Sequence, residues 1–329
     1  MNRTLISCAV LAGWMVTGVA PAQTGATILS AGGEGDHILR HDLETGDVVD
    51  HFVADGVSSL DFPFAMILAP DGTVLVCGWQ SDAVHRFDRD TGKPLGAFIP
   101  RGRGGLDGPT DILFHPDGFA LVGSNGTNRV LKYDGLTGAF LDTFVEPGDG
   151  GLDGPQGLVW GPDGNLYVSS YNSDEVMIYD GLTGAFIDVF VEAGSGGLDG
   201  PSDGQFLDGR FVLVSARSDS VLEYDQETGR FERVLVSFRS GGLQYPHFMQ
   251  VDDGVLYLAG QRRSNILKYD VQTGDFLGEL VAPGSGGLNG PRGLLILPAG
   301  PDGFDADQDG DVDVEDYGAF QQAFTGPRR

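Results

Sequence analysis

The clearest candidate for chemistry is an acidic segment of twelve residues near the C-terminus. Acidic side chains stand at its positions 1, 3, 5, 7, 9 and 12, with Gly310 at position 6 and Val312 at position 8. Calcium loops have this spacing, because carboxylate oxygens surround the cation, position 7 offers its backbone carbonyl, and glycine allows a sharp turn. The predicted metal ligands are Asp305, Asp307, Asp309, Asp311, Asp313 and Asp316.

The tail that carries this segment is predicted to become ordered when calcium binds. Seven acidic residues within the twelve would repel one another in the absence of a cation. Tyr317, Phe320 and Phe324 follow at helical spacing, and Gly326-Pro327 would end the helix. The alternative is a solubilising acidic tail, which would need neither the glycine at position 6 nor the apolar residue at position 8.

A second group of chemically capable side chains is spread over the rest of the chain at two recurring places. Each lies either just after one of six regularly spaced prolines or in a polar loop further along the same repeat unit, as described below. These candidates for ligand binding are Asp111, Tyr171, Asp203, Arg217, His247, Arg262 and Arg292.

The basic and aromatic members of this group each have two interpretations. The arginines, together with Arg263, could receive a carboxylate or a sugar acid, or they could balance Asp219 and nearby acids. Tyr171 and Trp79 could stack on a sugar ring, or they could simply cover the protein beneath them.

The remaining members suggest a catalytic alternative. Asp111, Asp203, His247 and Asn125 could act as ligands or base of a metal-dependent enzyme, although the two aspartates could equally cap loops. A catalytic zinc site needs three protein ligands, and His247 is the only one of six histidines that follows such a proline. A Ser202-His247-Asp203 triad lacks the nucleophile-elbow sequence. No three histidines are expected to converge.

An internal repeat determines where all these side chains lie. The six prolines are spaced by 46, 46, 46, 45 and 45 residues: Pro63, Pro109, Pro155, Pro201, Pro246 and Pro291. The motif Asp-x-x-Thr-Gly shows the same five spacings and begins at Asp42, Asp88, Asp134, Asp180, Asp225 and Asp270. Six units of about 46 residues therefore fill residues 25–300.

Each unit has four short strands separated by turns. In the unit that starts at Pro155, the predicted strands are 157–160, 165–169, 176–179 and 185–190. Pro162-Asp163-Gly164 and the Asp-x-x-Thr-Gly motif are turn sequences, because proline fixes φ, aspartate bonds the backbone and glycine supplies a positive φ. A glycine-rich connection leads to the next proline.

Four antiparallel strands per unit are typical of a propeller blade. The motif at Asp42 has no proline-led strand before it, and Pro291 is followed by a single strand over 293–297. The two fragments add up to one whole unit. The sequence therefore predicts an all-β, six-bladed β-propeller over residues 23–301, with a closing blade shared by both ends of the chain.

Two family resemblances follow from these motifs. The unit Gly154-Pro155-Gln156-Gly157-Leu158, with its Pro-Asp-Gly turn, resembles the NHL-type and related six-bladed propellers, which include binding scaffolds, lactonase-like hydrolases and virginiamycin B lyase-like enzymes. The tail, residues 302–329, resembles a dockerin repeat, because Asp316 stands where an EF-hand loop has glutamate. Dockerins normally carry two repeats and this chain has one, so the resemblance implies calcium binding rather than cohesin docking.

The charge and the N-terminus limit the possible partners. With 20 basic against 47 acidic residues and a net charge of −27, nucleic acid and anionic membrane are unfavourable partners. The apolar run 5–20 and Ala20-Pro21-Ala22 predict a cleaved signal peptide over residues 1–22. We therefore expect a secreted monomer, extracellular or periplasmic, without a membrane span after cleavage. Its remaining cysteine, Cys77, lies in an apolar run and is expected to be buried.

Two hypotheses about function remain open at this point. The first is a non-catalytic propeller that binds a protein or carbohydrate ligand and carries a calcium-binding tail. The second is a metal-dependent lyase or hydrolase with its site in the propeller channel. The fold alone does not choose between them.

Overall fold

The computed structural model describes residues 25–299. The predicted signal peptide and the predicted calcium tail lie outside these residues. Within them the chain forms six four-stranded antiparallel sheets, each of which is one blade of a propeller. The predicted all-β, six-bladed architecture is confirmed.

The strands follow the repeat. The closing blade takes β1 Thr27–Gly32, β2 His37–Asp42 and β3 Val48–Val53. Blade 1 is β4 Pro63–Leu68, β5 Val74–Gly78, β6 Ala83–Phe87 and β7 Pro94–Ile99. Blade 2 is β8 Pro109–Phe114, β9 Phe119–Ser124, β10 Arg129–Asp134 and β11 Phe140–Val145. Blade 3 is β12 Pro155–Trp160, β13 Leu166–Ser170, β14 Glu175–Tyr179 and β15 Phe186–Val191.

The later strands continue in the same order. Blade 4 is β16 Pro201–Leu207, β17 Arg210–Ser215, β18 Ser220–Asp225 and β19 Phe231–Val236. Blade 5 is β20 Pro246–Asp252, β21 Val255–Gly260, β22 Asn265–Asp270 and β23 Phe276–Val281, after which β24 is Pro291–Leu297. Short 3-10 turns interrupt the loops at Arg103–Gly105, Asn125–Thr127, Asp149–Gly151, Ser195–Gly197, Ser240–Gly242, Gln261–Arg263 and Ser285–Gly287.

The last strand closes the ring. β24 pairs antiparallel with β1 and becomes the innermost strand of the blade that β1 to β3 begin. Their register runs from Thr27 opposite Leu297 to Ser30 opposite Leu294. The six proline-led strands β24, β4, β8, β12, β16 and β20 then pack side by side around the central channel. The predicted shared closing blade is confirmed.

The Asp-x-x-Thr-Gly motif folds by the bonds of its first residue. In blade 2, Asp134 Oδ1 accepts the Thr137 N–H at 2.7 Å and its hydroxyl at 2.6 Å. The same bonds recur at Asp180 and Thr183. The threonine hydroxyl and N–H hold the pKa of both exposed aspartates below the usual value, so the charged carboxylate fixes the turn.

The core lies between neighbouring blades, where aromatic side chains meet. Tyr167 of blade 3 packs edge-on against Phe206 of blade 4, with ring centroids 4.9 Å apart, and Phe206 in turn contacts Phe211. The leucine of each glycine-rich connection is also buried and acts as a packing plug. These plugs are Leu106, Leu152, Leu198, Leu243 and Leu288.

Three neighbouring blades fasten these connections with a serine. In blade 3, Ser170 Oγ accepts the Asp153 N–H at 2.9 Å and donates to the Asp153 carbonyl at 3.2 Å. Ser124 of blade 2 and Ser215 of blade 4 make the same two bonds. The other three blades have glycine at this position, namely Gly32, Gly78 and Gly260. We call blades 2 to 4 the latched half, and blade 5, the closing blade and blade 1 the mouth half.

Two further expectations can be compared with the described residues. Cys77 is a free, fully buried thiol, as expected. Over residues 25–299, no helix has the length and apolar character that crossing a membrane requires.

Candidate functional site

Two sets of loops meet on one face of the propeller. Backbone hydrogen bonds join the loop after each second strand to the connection that precedes the proline: Trp79 N donates to Phe62 O at 2.9 Å, and Tyr171 N to Gly154 O at 3.0 Å. Both sets of loops therefore lie on the same face of the propeller. We call it the proline face, and we call the opposite side, with the Asp-x-x-Thr-Gly motifs, the turn face.

A side-chain bond fixes the backbone of this face. In each blade a left-handed residue of the loop accepts the N–H of the residue before the next blade's proline. Asp36 Oδ1 accepts Phe62 N at 2.9 Å, and Asp219 Oδ1 accepts Tyr245 N at 2.7 Å. The equivalent acceptors in the other blades are Asp82, Asn128, Asp174 and Ser264.

The donor in this bond has a positive φ in all six blades. Four blades use glycine there, but Phe62 and Tyr245 each have a φ of 55°. A left-handed backbone disfavours a bulky L-residue by about 1–2 kcal/mol, and such strain concentrates at functional sites. Two aromatic side chains are therefore held at the channel mouth at an energetic cost.

Tyr245 belongs to one side of a larger cluster. Its hydroxyl is hydrogen-bonded to that of Tyr171, which joins blade 5 to blade 3. The guanidinium of Arg262 lies 4.4 Å from the Tyr245 ring centre, and that of Arg217 lies 4.2 Å from the Tyr171 ring centre. His247 packs against both rings, at 5.1 and 6.4 Å between centroids.

Phe62 belongs to the other side. Arg292 lies 4.8 Å from the Phe62 ring centre and 5.1 Å from that of Phe64. Arg292 Nη1 donates to His247 Nε2 at 2.8 Å, which connects the two sides. We call Phe62, Phe64, Tyr171, Tyr245, His247, Arg217, Arg262 and Arg292 the aromatic–arginine cluster.

The protonation states in the cluster follow from burial. Burial, and then the charge of Arg292, hold the pKa of His247 well below its usual value, so the ring is neutral and Nε2 accepts. The proton is then on Nδ1, which has no hydrogen-bond partner among the described residues. Burial lowers the pKa of Arg292 to about 10, which leaves it cationic at neutral pH.

The three arginines differ in their charge partners. Arg217 lies 3.5 Å from Asp174 and 3.7 Å from Asp199, so its charge is balanced. Within residues 25–299, neither Arg262 nor Arg292 forms an ion pair with a carboxylate. Asp219, the balancing acid considered from the sequence, pairs instead with Arg239. Two cationic groups at the mouth are thus available to an anionic ligand.

Asp111 and Asp203 line the channel on β8 and β16, which are separated by β12. Asp111 Oδ2 accepts the Leu158 N–H at 2.8 Å, and Asp203 Oδ2 accepts the Met249 N–H at 2.9 Å. Each aspartate therefore bridges to the next blade and does not cap a loop. Burial raises the pKa of Asp203 to about 7, and burial followed by the charge of Asp203 raises the pKa of Asp111 well above its usual value.

The residues of the catalytic alternative are not brought together as a ligand set. Over the part of the chain that the structure describes, no three His, Cys, Asp or Glu side chains form a group that could hold a metal ion. His247 Nε2 is occupied by Arg292, and Asn125 lies in a loop turn whose backbone bonds Gly108. The predicted calcium ligands, from Asp305 to Asp316, lie outside the described residues.

Phe62, Phe64 and Tyr245 were not among the ligand-binding candidates. Their contribution depends on backbone φ and on contacts between blades, which the sequence does not display. The usable signal is the residue before each proline, which is glycine in four blades and aromatic in two.

Comparison with known proteins finds the fold and nothing finer. No family model matches the chain, and no curated protein matches it. A chain of the nidogen/laminin complex superposes with a TM-score of 0.66 at 18% identity, covering 83% of this chain and 98% of that one. A protein of unknown function from Bacteroides caccae gives 0.61 at 17% identity, covering 83% and 99%.

Proposed function

We propose that this chain is a secreted, non-catalytic propeller that binds a carboxylate-bearing protein or carbohydrate on its proline face, and that its tail binds calcium. One observation carries the binding proposal. Arg262 and Arg292 lie on aromatic rings at the channel mouth without a carboxylate partner among residues 25–299, in a chain whose net charge is −27.

The chemistry of the cluster suits such a ligand. A guanidinium stacked on a ring keeps its edge N–H groups free for a carboxylate, and the stacking fixes its plane. The rings beside it offer an apolar surface for the body of a sugar or a side chain. The nidogen/laminin neighbour is a propeller found in a protein complex, which supports a binding function only by analogy of fold.

The binding proposal is tested on one exposed arginine and a matched control. Arg262→Gln removes a charge from the cluster, and Arg230→Gln removes another exposed charge, from the turn face. Titration calorimetry with an oligogalacturonate and with a glutamate-rich peptide should show binding of at least one probe. Arg262→Gln should weaken it about tenfold, as expected for a charge-assisted hydrogen bond. Failure of both probes, or equal weakening by Arg230→Gln, would overturn the proposal.

The calcium proposal rests on the loop from Asp305 to Asp316 and needs its own test. Calorimetric titration of the secreted chain should show one calcium ion per chain. Asp305→Asn with Asp309→Asn should abolish this binding, because both remove charged oxygen ligands. Asp302→Asn, just before the loop, is the control and should bind normally. Undiminished binding in the double variant would exclude this loop as the site.

A further inference from the structure

The turn face carries two leucines in place of polar residues. The third position of the Asp-x-x-Thr-Gly motif is, in chain order, Glu44, Asp90, Leu136, Leu182, Glu227 and Gln272. Leu136 is 77% exposed and Leu182 62% exposed. They occupy the same position in adjacent blades, 2 and 3, whereas the other four blades have a polar or charged residue there.

The packing of the propeller does not require leucine at these two positions. In the closing blade and in blade 5, Leu43 and Val271 occupy the second position of the same turn and are buried. Blades 2 and 3 have Gly135 and Gly181 there, and the apolar residue has moved one position outward. Leaving a leucine in water forgoes roughly 1.5–3 kcal/mol of burial, so a covering segment would stabilise this area.

The described chain ends on the same face. β24 runs from the proline face to the turn face, and Arg89 Nη2 of blade 1 donates to the Pro298 carbonyl at 3.1 Å. Blade 1 lies between the closing blade and blade 2, so this bond holds the chain end on the side of Leu136. The eighteen residues from 300 to 317 can span about 60 Å when extended, against about 20 Å across a four-stranded blade.

We propose that Tyr317, Phe320 and Phe324 of the C-terminal tail pack on Leu136 and Leu182. The tail would then cap blades 2 and 3 of its own propeller. The apolar spacing of these three residues matches one side of a helix, and the two leucines are the surface that this side would cover. Packing of the tail on the propeller is a different claim from calcium binding. Hydrogen exchange is therefore measured both with calcium and with a chelator.

Hydrogen exchange on the full secreted chain tests the contact directly. Amides 134–138 and 180–184 should exchange several-fold more slowly in the wild type than in Phe320→Gln with Phe324→Gln. Gln321→Ala with Gln322→Ala alters the same segment without touching the apolar side and should leave that protection intact. The equivalent turn of blade 4, residues 225–229, should not change in either variant.

The reciprocal variant approaches the contact from the propeller. Leu136→Glu with Leu182→Glu should speed chymotryptic cleavage after Phe320 and Phe324. Leu141→Glu with Ile187→Glu is the control, because these residues lie on the outermost strands of the same blades and are 52% and 49% exposed. Equal exchange of the two turns in all variants would overturn the proposal. So would protection that disappears on dilution, since a second copy would then be the covering molecule.

Discussion

The latched half and the mouth half of the ring share one repeat, but their side chains at equivalent positions have different functions. After the proline, blades 2 to 4 carry Thr110, Gln156 and Ser202, whereas blade 5, the closing blade and blade 1 carry His247, Arg292 and Phe64. In the latched half two of these side chains bond the next blade: Thr110 Oγ1 donates to Pro155 O at 2.9 Å, and Ser202 Oγ to His247 O at 2.7 Å. In the mouth half they are large and contact one another.

The difference shows how a closed ring can divide structure from binding. Hydrogen bonds of serine, threonine and aspartate hold three blades together at the channel. The other three are closed by the same strand packing, and their side chains at the mouth form most of the aromatic–arginine cluster, which Tyr171 of blade 3 and Arg217 of blade 4 complete. In a repeat protein each unit adds its own stability, and units can therefore be specialised separately.

The largest loss of stability is expected where the inner strands of neighbouring blades pack closely, which occurs in both halves. Gly157 of β12 and Gly293 of β24 each face a neighbouring carbonyl, and an added Cβ would overlap the oxygen of Ser202 or of Phe64. We expect Gly157→Ala and Gly293→Ala each to lower the free energy of unfolding by about 3 kcal/mol, measured by denaturant titration. At Gly25 an added Cβ would make only an ordinary contact, 3.9 Å from Asp42 Oδ2, so Gly25→Ala should be neutral. A loss in only one of the two variants would contradict equal closure of both halves.

An effect of comparable size comes from a carboxyl of the latched half and depends on pH. The folded pKa of Asp203, about 7, lies above the unfolded value of about 3.9. Its stabilising contribution is therefore complete below about pH 4 and is lost as the pH rises through about 7. Asp203→Asn, which keeps an oxygen for the Met249 N–H, should be more stable than the wild type at pH 8 by up to about 4 kcal/mol, the equivalent of about three pKa units.

This difference should shrink towards zero near pH 4, as measured by unfolding across the pH range. Asp142→Asn, at an exposed position, controls for the change in net charge. If the difference between Asp203→Asn and the wild type did not vary with pH, the carboxyl would not be titrating in the folded protein over this range.

A smaller effect should separate the serine latch from a nearby loop serine of the mouth half. Ser170→Ala leaves the N–H and carbonyl of Asp153 without their partner, and we expect a loss of about 1–2 kcal/mol with faster amide exchange over 149–154. Ser81 of blade 1 bonds His85 and Gly78 but no connection. Ser81→Ala should leave the exchange of its connection unchanged, and equal effects would remove the distinction between the halves.

The smallest effect on stability is expected at Phe62. Phe62→Gly relieves the left-handed strain but loses the contact with Trp79, 5.5 Å between centroids. The unfolding free energy should change by less than about 1 kcal/mol, while calorimetry should show weaker binding of the acidic probe. A variant that gains stability and binds normally would show that the ring is not kept for the ligand.

Much of the fold was predictable because its turns depend on short, local sequence motifs. The proline and Asp-x-x-Thr-Gly spacings located all six blades, and the predicted strand 185–190 lies within one residue of Phe186–Val191 at each end. The strand predicted over 157–160 in fact begins at Pro155. Between Pro155 and Leu158, the pairing of this strand with β13 shifts in register, which hydropathy does not reveal.

The site was less predictable, because its contacts join blades far apart in sequence. The sequence identified candidate residues in two recurring loops, but the bond between Arg292 and His247 depends on blade order. Phe62 and Tyr245 needed their φ angles to stand out. The calcium ligands and the signal peptide remain predictions.

The register of the closing blade has a mechanical consequence. Thr27 lies opposite Leu297, so the first and last strands of the propeller end side by side and the chain leaves both from the same edge. A force applied between the two ends would open the β1–β24 ladder one residue pair at a time and would not shear all its hydrogen bonds at once. The ring should therefore open first between β1 and β24, and at a low force. When the chain is pulled by its two ends, this opening would take up the load before the other five blades unfold.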